Sequence, residues 1–135
     1  MKRIALLIGC AFIWFCLSTG TVLANKSSVS IEGPASAEQG SEVTLRLTVT
    51  HSANSFFHYT NWLKVQVNGK PLTQWEFTSG NRPEGAVFTR EVKIRIIGNT
   101  EVVAEANCNI HGSAGPAKVT ILTNMTEVPA TKTSE

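Results

Sequence analysis

Between Ser41 and His51 the chain alternates without a break. Val43, Leu45, Leu47 and Val49 fall on one side, and Thr44, Arg46, Thr48 and Thr50 on the other. A period of two puts the two sets on opposite faces of an extended strand, so one face must be buried and the other wet. A helix would scatter the same apolar residues around its circumference. The pattern recurs in Thr60 to Val67 through Leu63, Val65 and Val67, and in Val87 to Ile97 through Phe88, Val92, Ile94 and Ile96. It recurs again in Glu101 to Asn107, where Val102, Ala104 and Ala106 share a face with Cys108. Asn68-Gly69 supplies the left-handed backbone of a tight hairpin, after which Pro71 to Phe77 returns.

Ser28 to Glu32 opens the set and Ala117 to Thr123 closes it, with turn residues roughly every eight to twelve positions. No segment carries a helical period. The expected fold is all-β, an immunoglobulin-like antiparallel sandwich of about seven strands. Trp62 and Trp75 read as core aromatics. Thr78 to Gly85, with Gly80 and Pro83, reads as a polar connection.

The ends of the chain read differently. Lys2 and Arg3, the apolar run Ile4 to Leu17 and the small-residue site Val22-Leu23-Ala24 have the three parts of a secretory signal, residues 1–24, cleaved after Ala24. Leu7-Ile8-Gly9-Cys10 resembles a lipoprotein box, but the apolar core runs on past it. Residues 25–123 then form the domain, and 124–135, rich in Thr, Ser and Glu, a flexible tail. The protein is expected to be exported, to the periplasm. Of twelve basic residues two leave with the signal, so ten face ten acidic ones and the formal net charge is zero. That excludes the basic footprint of a nucleic-acid binder. No aspartate occurs, which excludes any mechanism built on one. Gly-x-Ser-x-Gly and phosphate-cradling glycine loops are also missing.

Cys10 and Cys16 would leave with the signal, so Cys108 is the single cysteine kept. One thiol cannot build an internal disulfide framework. It is an intermolecular bridge, a reactive thiol, a buried inert thiol or a metal ligand, and His111 three residues later favours the metal. His51 ends one strand and His58 precedes another, with Phe56 and Phe57 in the step between them. Loops at one end of a sandwich cluster, so His51, His58, Cys108 and His111 are expected to meet there as metal ligands. One thiolate with imidazoles suits iron, zinc or copper. The competing view is that each histidine is a surface or satisfied core residue and Cys108 a small hydrophobe.

Cys108-Asn109-Ile110-His111-Gly112 resembles the Cys-Asn-x-His-Gly signature of superoxide reductases, the desulfoferrodoxin iron-binding domain. His51 followed by His58-Tyr59-Thr60-Asn61-Trp62 resembles their other signature, a histidine, a spacer and His-Tyr-x-x-Trp. The resemblance covers roughly Ser28 to Ile121. It implies a mononuclear iron centre (ferrous when reduced), with His51, His58 and His111 equatorial, Cys108 axial, and the position opposite sulfur open to superoxide. It also implies reduction of superoxide to hydrogen peroxide, with electrons from an external donor protein, since no rubredoxin-like cysteine pair is present. The backbone amides of Ile110 and His111 would tune the sulfur.

This chain departs from the family in two places. The step from His51 to His58 is one residue longer, and the N-terminal Glu-Lys-His motif is missing. Laying Ile31-Glu32 on the family's first strand puts Lys26 at the substrate-attracting, catalytic lysine and Ser27 at the fourth histidine. A water, Glu32 or the α-amino group of Asn25 is then left to fill the gap. The runner-up is a cupredoxin-like copper electron carrier, because Cys108 to Ile121 resembles plastocyanin's ligand loop, with Pro116 where its methionine would stand. A non-catalytic metal-binding or partner-binding module is third, on a faint similarity of Ser41 to Asn54 to sulfur-carrier partner proteins of thiosulfate oxidation. All three readings are compatible with a homo-oligomer.

Overall fold

The computed structural model describes residues 26–124, and the expectations for residues 1–24, for Asn25 and for residues 125–135 lie outside them. Eight strands form: β1 (Ser28–Glu32), β2 (Ser36–Glu38), β3 (Glu42–Thr50), β4 (Thr60–Val67), β5 (Lys70–Glu76), β6 (Val87–Arg95), β7 (Thr100–Cys108) and β8 (Ala117–Asn124). They make a three-stranded sheet in the order β1-β3-β6 and a five-stranded sheet in the order β2-β8-β7-β4-β5. The alternating segments pair antiparallel, the arrangement in which one face is commonly left to solvent. The strand beyond the expected seven is β2, which runs parallel to β8. Three residues are too short to show a period.

The apolar face of every long strand points into the space between the sheets. Leu45, Leu47 and Val49 of β3 share one core with Leu63 and Val65 of β4, Val92 and Ile94 of β6, and Val102, Ala104 and Ala106 of β7. Because Leu47 has no exposed surface, Leu47→Ala would cost about 2–5 kcal/mol. Trp75 packs against this core, opposite Leu63. Trp62 does not join it. It lies on the outer face beside buried Leu63, half-buried, with Lys64 Nζ 4.3 Å from its ring centroid.

Two left-handed turns shape the ends of the sheet. Asn68 (φ 50°) and Gly69 (φ 75°) join β4 to β5 as a hairpin, the geometry that Asn-Gly favours. Gly112 (φ 79°) closes the turn after β7, where its N–H donates to Cys108 O and its O accepts from Cys108 N–H, both at 3.0 Å. A side chain at that φ would be strained. At the same end of the sandwich Thr60, the first residue of β4, lies opposite Cys108. An irregularity at Asn61 then shifts the register, so that Trp62 faces Asn107. A bulge there re-aims the chain that arrives from His58.

Candidate metal centre

The buried face of β7 runs Val102, Ala104, Ala106, Cys108, and the last of these is 1% exposed. The alternation that builds the core therefore delivers a thiol to the rim of the sandwich. The turn back to Gly112 aims two backbone donors at its sulfur, Ile110 N–H at 3.5 Å and His111 N–H at 3.4 Å. Donors so placed stabilise negative charge on Sγ. The same turn brings the His111 ring over the thiol, with Nδ1 3.9 Å from Sγ.

The other two histidines arrive from the loop between β3 and β4. His51 is 3% exposed, and its backbone N–H donates to Ala86 O at 2.8 Å. Its Nε2 lies 3.2 Å from His58 Nε2, which in turn lies 3.0 Å from His111 Nδ1. The ring pairs meet edge to face, at centroid distances of 4.5 and 4.8 Å. Ligand atoms of His51, His58 and Cys108 all fall within 4.8 Å of one another. The structure thus brings His51, His58 and Cys108 into one group, with His111 set against His58 and the thiol, and His58 Nε2 is the nitrogen that both other rings meet.

This donor set fits an ion. Two nitrogens each about 2.1 Å from one metal stand about 3.0 Å apart at a right angle and about 3.4 Å apart at the tetrahedral angle. The two nitrogen pairs measure 3.2 and 3.0 Å. A neutral imidazole has one lone-pair nitrogen, so a single proton on His58 Nε2 cannot serve both neighbours along straight hydrogen bonds. A cation between two of these nitrogens takes both lone pairs at once. Thiolate with imidazoles is a borderline-soft set suited to iron or zinc.

The remaining candidates separate cleanly. Lys26 is exposed and precedes Ser27, whose N–H donates to Gly112 O at 3.3 Å, so the lysine's backbone starts beside the Cys108 turn. Ser27 itself is buried, and its hydroxyl is paired with that of Thr60 at 2.7 Å. Glu32 does not fill the gap left there: it pairs with Arg46 while Ser28 pairs with Thr50, and four residues of strand span about 13 Å. Pro116 is exposed and lines a cavity with Lys64, Gln66, Val103 and Glu105 on the outer face of the sheet. It occupies no axial position at the thiol, and both His51 and His58 join the cluster, so the copper-carrier geometry gains no support.

Two asparagines hold the site together, and sequence reasoning passed over both. Asn109 accepts from Tyr59 N–H at 2.9 Å and donates to Phe57 O at 3.0 Å, which locks the His58 loop onto the Cys108 turn. Asn54 accepts from Thr60 N–H and donates to Gly85 O. Next to Gly85, the hydrogen bond from Arg90 holds the Glu84 carboxyl below the usual carboxylate range and ties down the segment that bonds His51. Asx residues flanking a histidine are a weak signal, because their partners here are backbone groups remote in sequence. Phe56, Phe57 and Ile110 stand exposed on the same two loops.

Residues 19–113 match the family described as Desulfoferrodoxin. No curated protein matches the chain. Among solved structures, the fold is similar to a superoxide reductase (neelaredoxin) from Ignicoccus hospitalis, at 17% identity and TM-score 0.64, covering 78% of this chain and 89% of that one. It is similar also to a mutant superoxide reductase (neelaredoxin) from Archaeoglobus fulgidus in the reduced form, at 20% identity and TM-score 0.53, covering 75% and 93%. A CARDB domain from Pyrococcus furiosus in complex with di-metal ions shares the fold too, at 12% identity and TM-score 0.54, covering 78% and 100%. Likeness at these identities establishes the immunoglobulin-like sandwich and leaves function to the site.

Proposed function

Because the chain belongs to the desulfoferrodoxin family, we propose that it is an exported mononuclear iron protein that reduces superoxide to hydrogen peroxide. The observation that carries this reading is the convergence of His51 Nε2, His58 Nε2 and His111 Nδ1 beside a thiol that already receives two backbone N–H groups. Ferrous iron held there would supply one electron, and superoxide that gains it and two protons from solvent becomes hydrogen peroxide.

The chain's own residues set the conditions for that step. Cys108 offers a buried sulfur whose negative charge the Ile110 and His111 amides stabilise. His111 is exposed and leaves the site open to a small anion from solvent. Lys26 adjoins Ser27, whose backbone N–H bonds to the Cys108–Gly112 turn, and its role is to attract that anion. Electrons return from an external donor protein, since Cys108 is the one cysteine among the described residues. Export rests on the three-part signal in residues 1–24.

The test is pulsed superoxide delivered to the iron-loaded, reduced protein. Reduction gives one hydrogen peroxide per superoxide consumed, with iron oxidised in step. Dismutation gives half that yield and leaves the iron state unchanged on average, and a protein that only stores metal gives no fast reaction.

A further inference from the structure

We propose that Asn54 is a positioning residue that selects which nitrogen of His51 faces the ion. The inference rests on the metal-binding reading above and extends it to a residue outside the ligand set. Asn54 lies in the step between His51 and His58, and its carboxamide is committed at both ends by groups that have one role each. Thr60 N–H can only donate, and it donates to Asn54 Oδ1 at 2.8 Å. Gly85 carbonyl can only accept, and it takes Asn54 Nδ2 at 2.5 Å. The amide therefore has one orientation.

In that orientation the atom 3.4 Å from His51 Nδ1 is an acceptor oxygen. The ring answers it by carrying its proton on Nδ1, which leaves the lone pair on Nε2. Nε2 is the nitrogen 3.2 Å from His58 Nε2. One carboxamide thus joins the end of β3, the start of β4 and the segment before β6, and it presents His51 to the cluster already in the ligating tautomer. A ligand histidine whose second nitrogen is so held needs neither to rotate nor to move a proton before it binds.

The experiment reads the tautomer and the affinity separately. Long-range proton–nitrogen NMR on the metal-free protein reports which nitrogen of His51 is protonated, and cobalt titration against a competing chelator reports affinity. The wild type should show the Nδ1–H form. Asn54→Ala should give a mixture of tautomers and bind cobalt about 10–100-fold more weakly. Asn54→Asp keeps an oxygen for His51 and Thr60 but loses the bond to Gly85. It should retain the Nδ1–H form and bind within about threefold of wild type, although less stable.

An Nε2–H wild type overturns the proposal, and so does an Asn54→Ala variant that keeps both tautomer and affinity. A folded Asn54→Asp variant as weak as Asn54→Ala also overturns it, because the Gly85 bond would then be the one that matters. Should Asn54→Ala fail to fold, the wild-type tautomer and Asn54→Asp decide. A wild type with the expected tautomer that binds no cobalt upholds the placement of His51 and removes the metal-binding reading instead.

Discussion

The loop from His51 to Thr60 and the segment from Lys26 to Ser28 both pack against the Cys108–Gly112 turn, and they do opposite things there. The loop brings two imidazoles to the thiol and is held by the carboxamides of Asn54 and Asn109. The N-terminal segment makes backbone bonds to Gly112 and Ala114, but it brings a hydroxyl that is already paired with Thr60 inside the protein. Both contacts are polar, and only one leaves lone pairs facing the thiol. A buried hydroxyl with a hydroxyl partner is satisfied, so an ion has little to gain from it. The chain has three histidines and all three are in the cluster, so the side nearest Ser27 carries no imidazole. One flank of the turn therefore carries imidazole donors and the other carries none.

The largest expected effect comes from the group both segments surround. Cys108→Ser should abolish the thiolate-to-iron charge-transfer band and lower metal affinity by well over the ~10–100-fold typical of residues behind the ligands. Absorbance and chelator competition measure both. Next comes the middle nitrogen of the cluster. His58→Ala removes the donor shared by His51 and His111 and should weaken binding by more than ~100-fold, with His51→Ala and His111→Ala close behind. If His51 can be replaced with little loss, the loop supplies one ligand rather than two and the contrast between the segments shrinks.

Ser27→Ala sharpens the comparison from the other flank. It leaves the buried Thr60 hydroxyl without its partner, so stability should fall by about 1–3 kcal/mol in denaturant unfolding. Metal affinity should change by less than about threefold, because Ser27 gives no donor. A large loss of metal would show that the N-terminal segment ligates after all. The smallest effect is expected at Lys26. Lys26→Ala should leave metal content unchanged and slow the reaction with superoxide at low salt, with the difference closing as ionic strength rises beyond about 0.1 M.

The alternation of β3, β6 and β7 was legible because a period of two on half-buried strands is imposed by the solvent boundary itself. The same alternation placed Cys108 on the inner face, continuing Val102, Ala104 and Ala106. Asn68-Gly69 was legible because few residues accept its backbone. The positions of His51 and His58 followed from strand ends clustering at one end of a sandwich. Parallel β2 was not legible, since its pairing with β8 depends on a neighbour remote in sequence. Trp62 was misplaced for a related reason. Its hydrophobicity says core, but its parity with Lys64 puts it on the outer face, and an ammonium covers the ring. The roles of Asn54 and Asn109 were hidden because their partners, Gly85 and Phe57, lie 31 and 52 positions away.

That one ion is held by three imidazoles and the Cys108 thiolate is best tested by X-ray absorption at the iron edge, on reduced, iron-loaded wild type beside Cys108→Ser. The wild-type first shell should need one sulfur, and its outer-shell scattering should fit three imidazole rings. The sulfur should disappear in Cys108→Ser. A wild-type shell of nitrogen and oxygen alone, or a spectrum that Cys108→Ser leaves unchanged, would place the iron elsewhere and contradict the account.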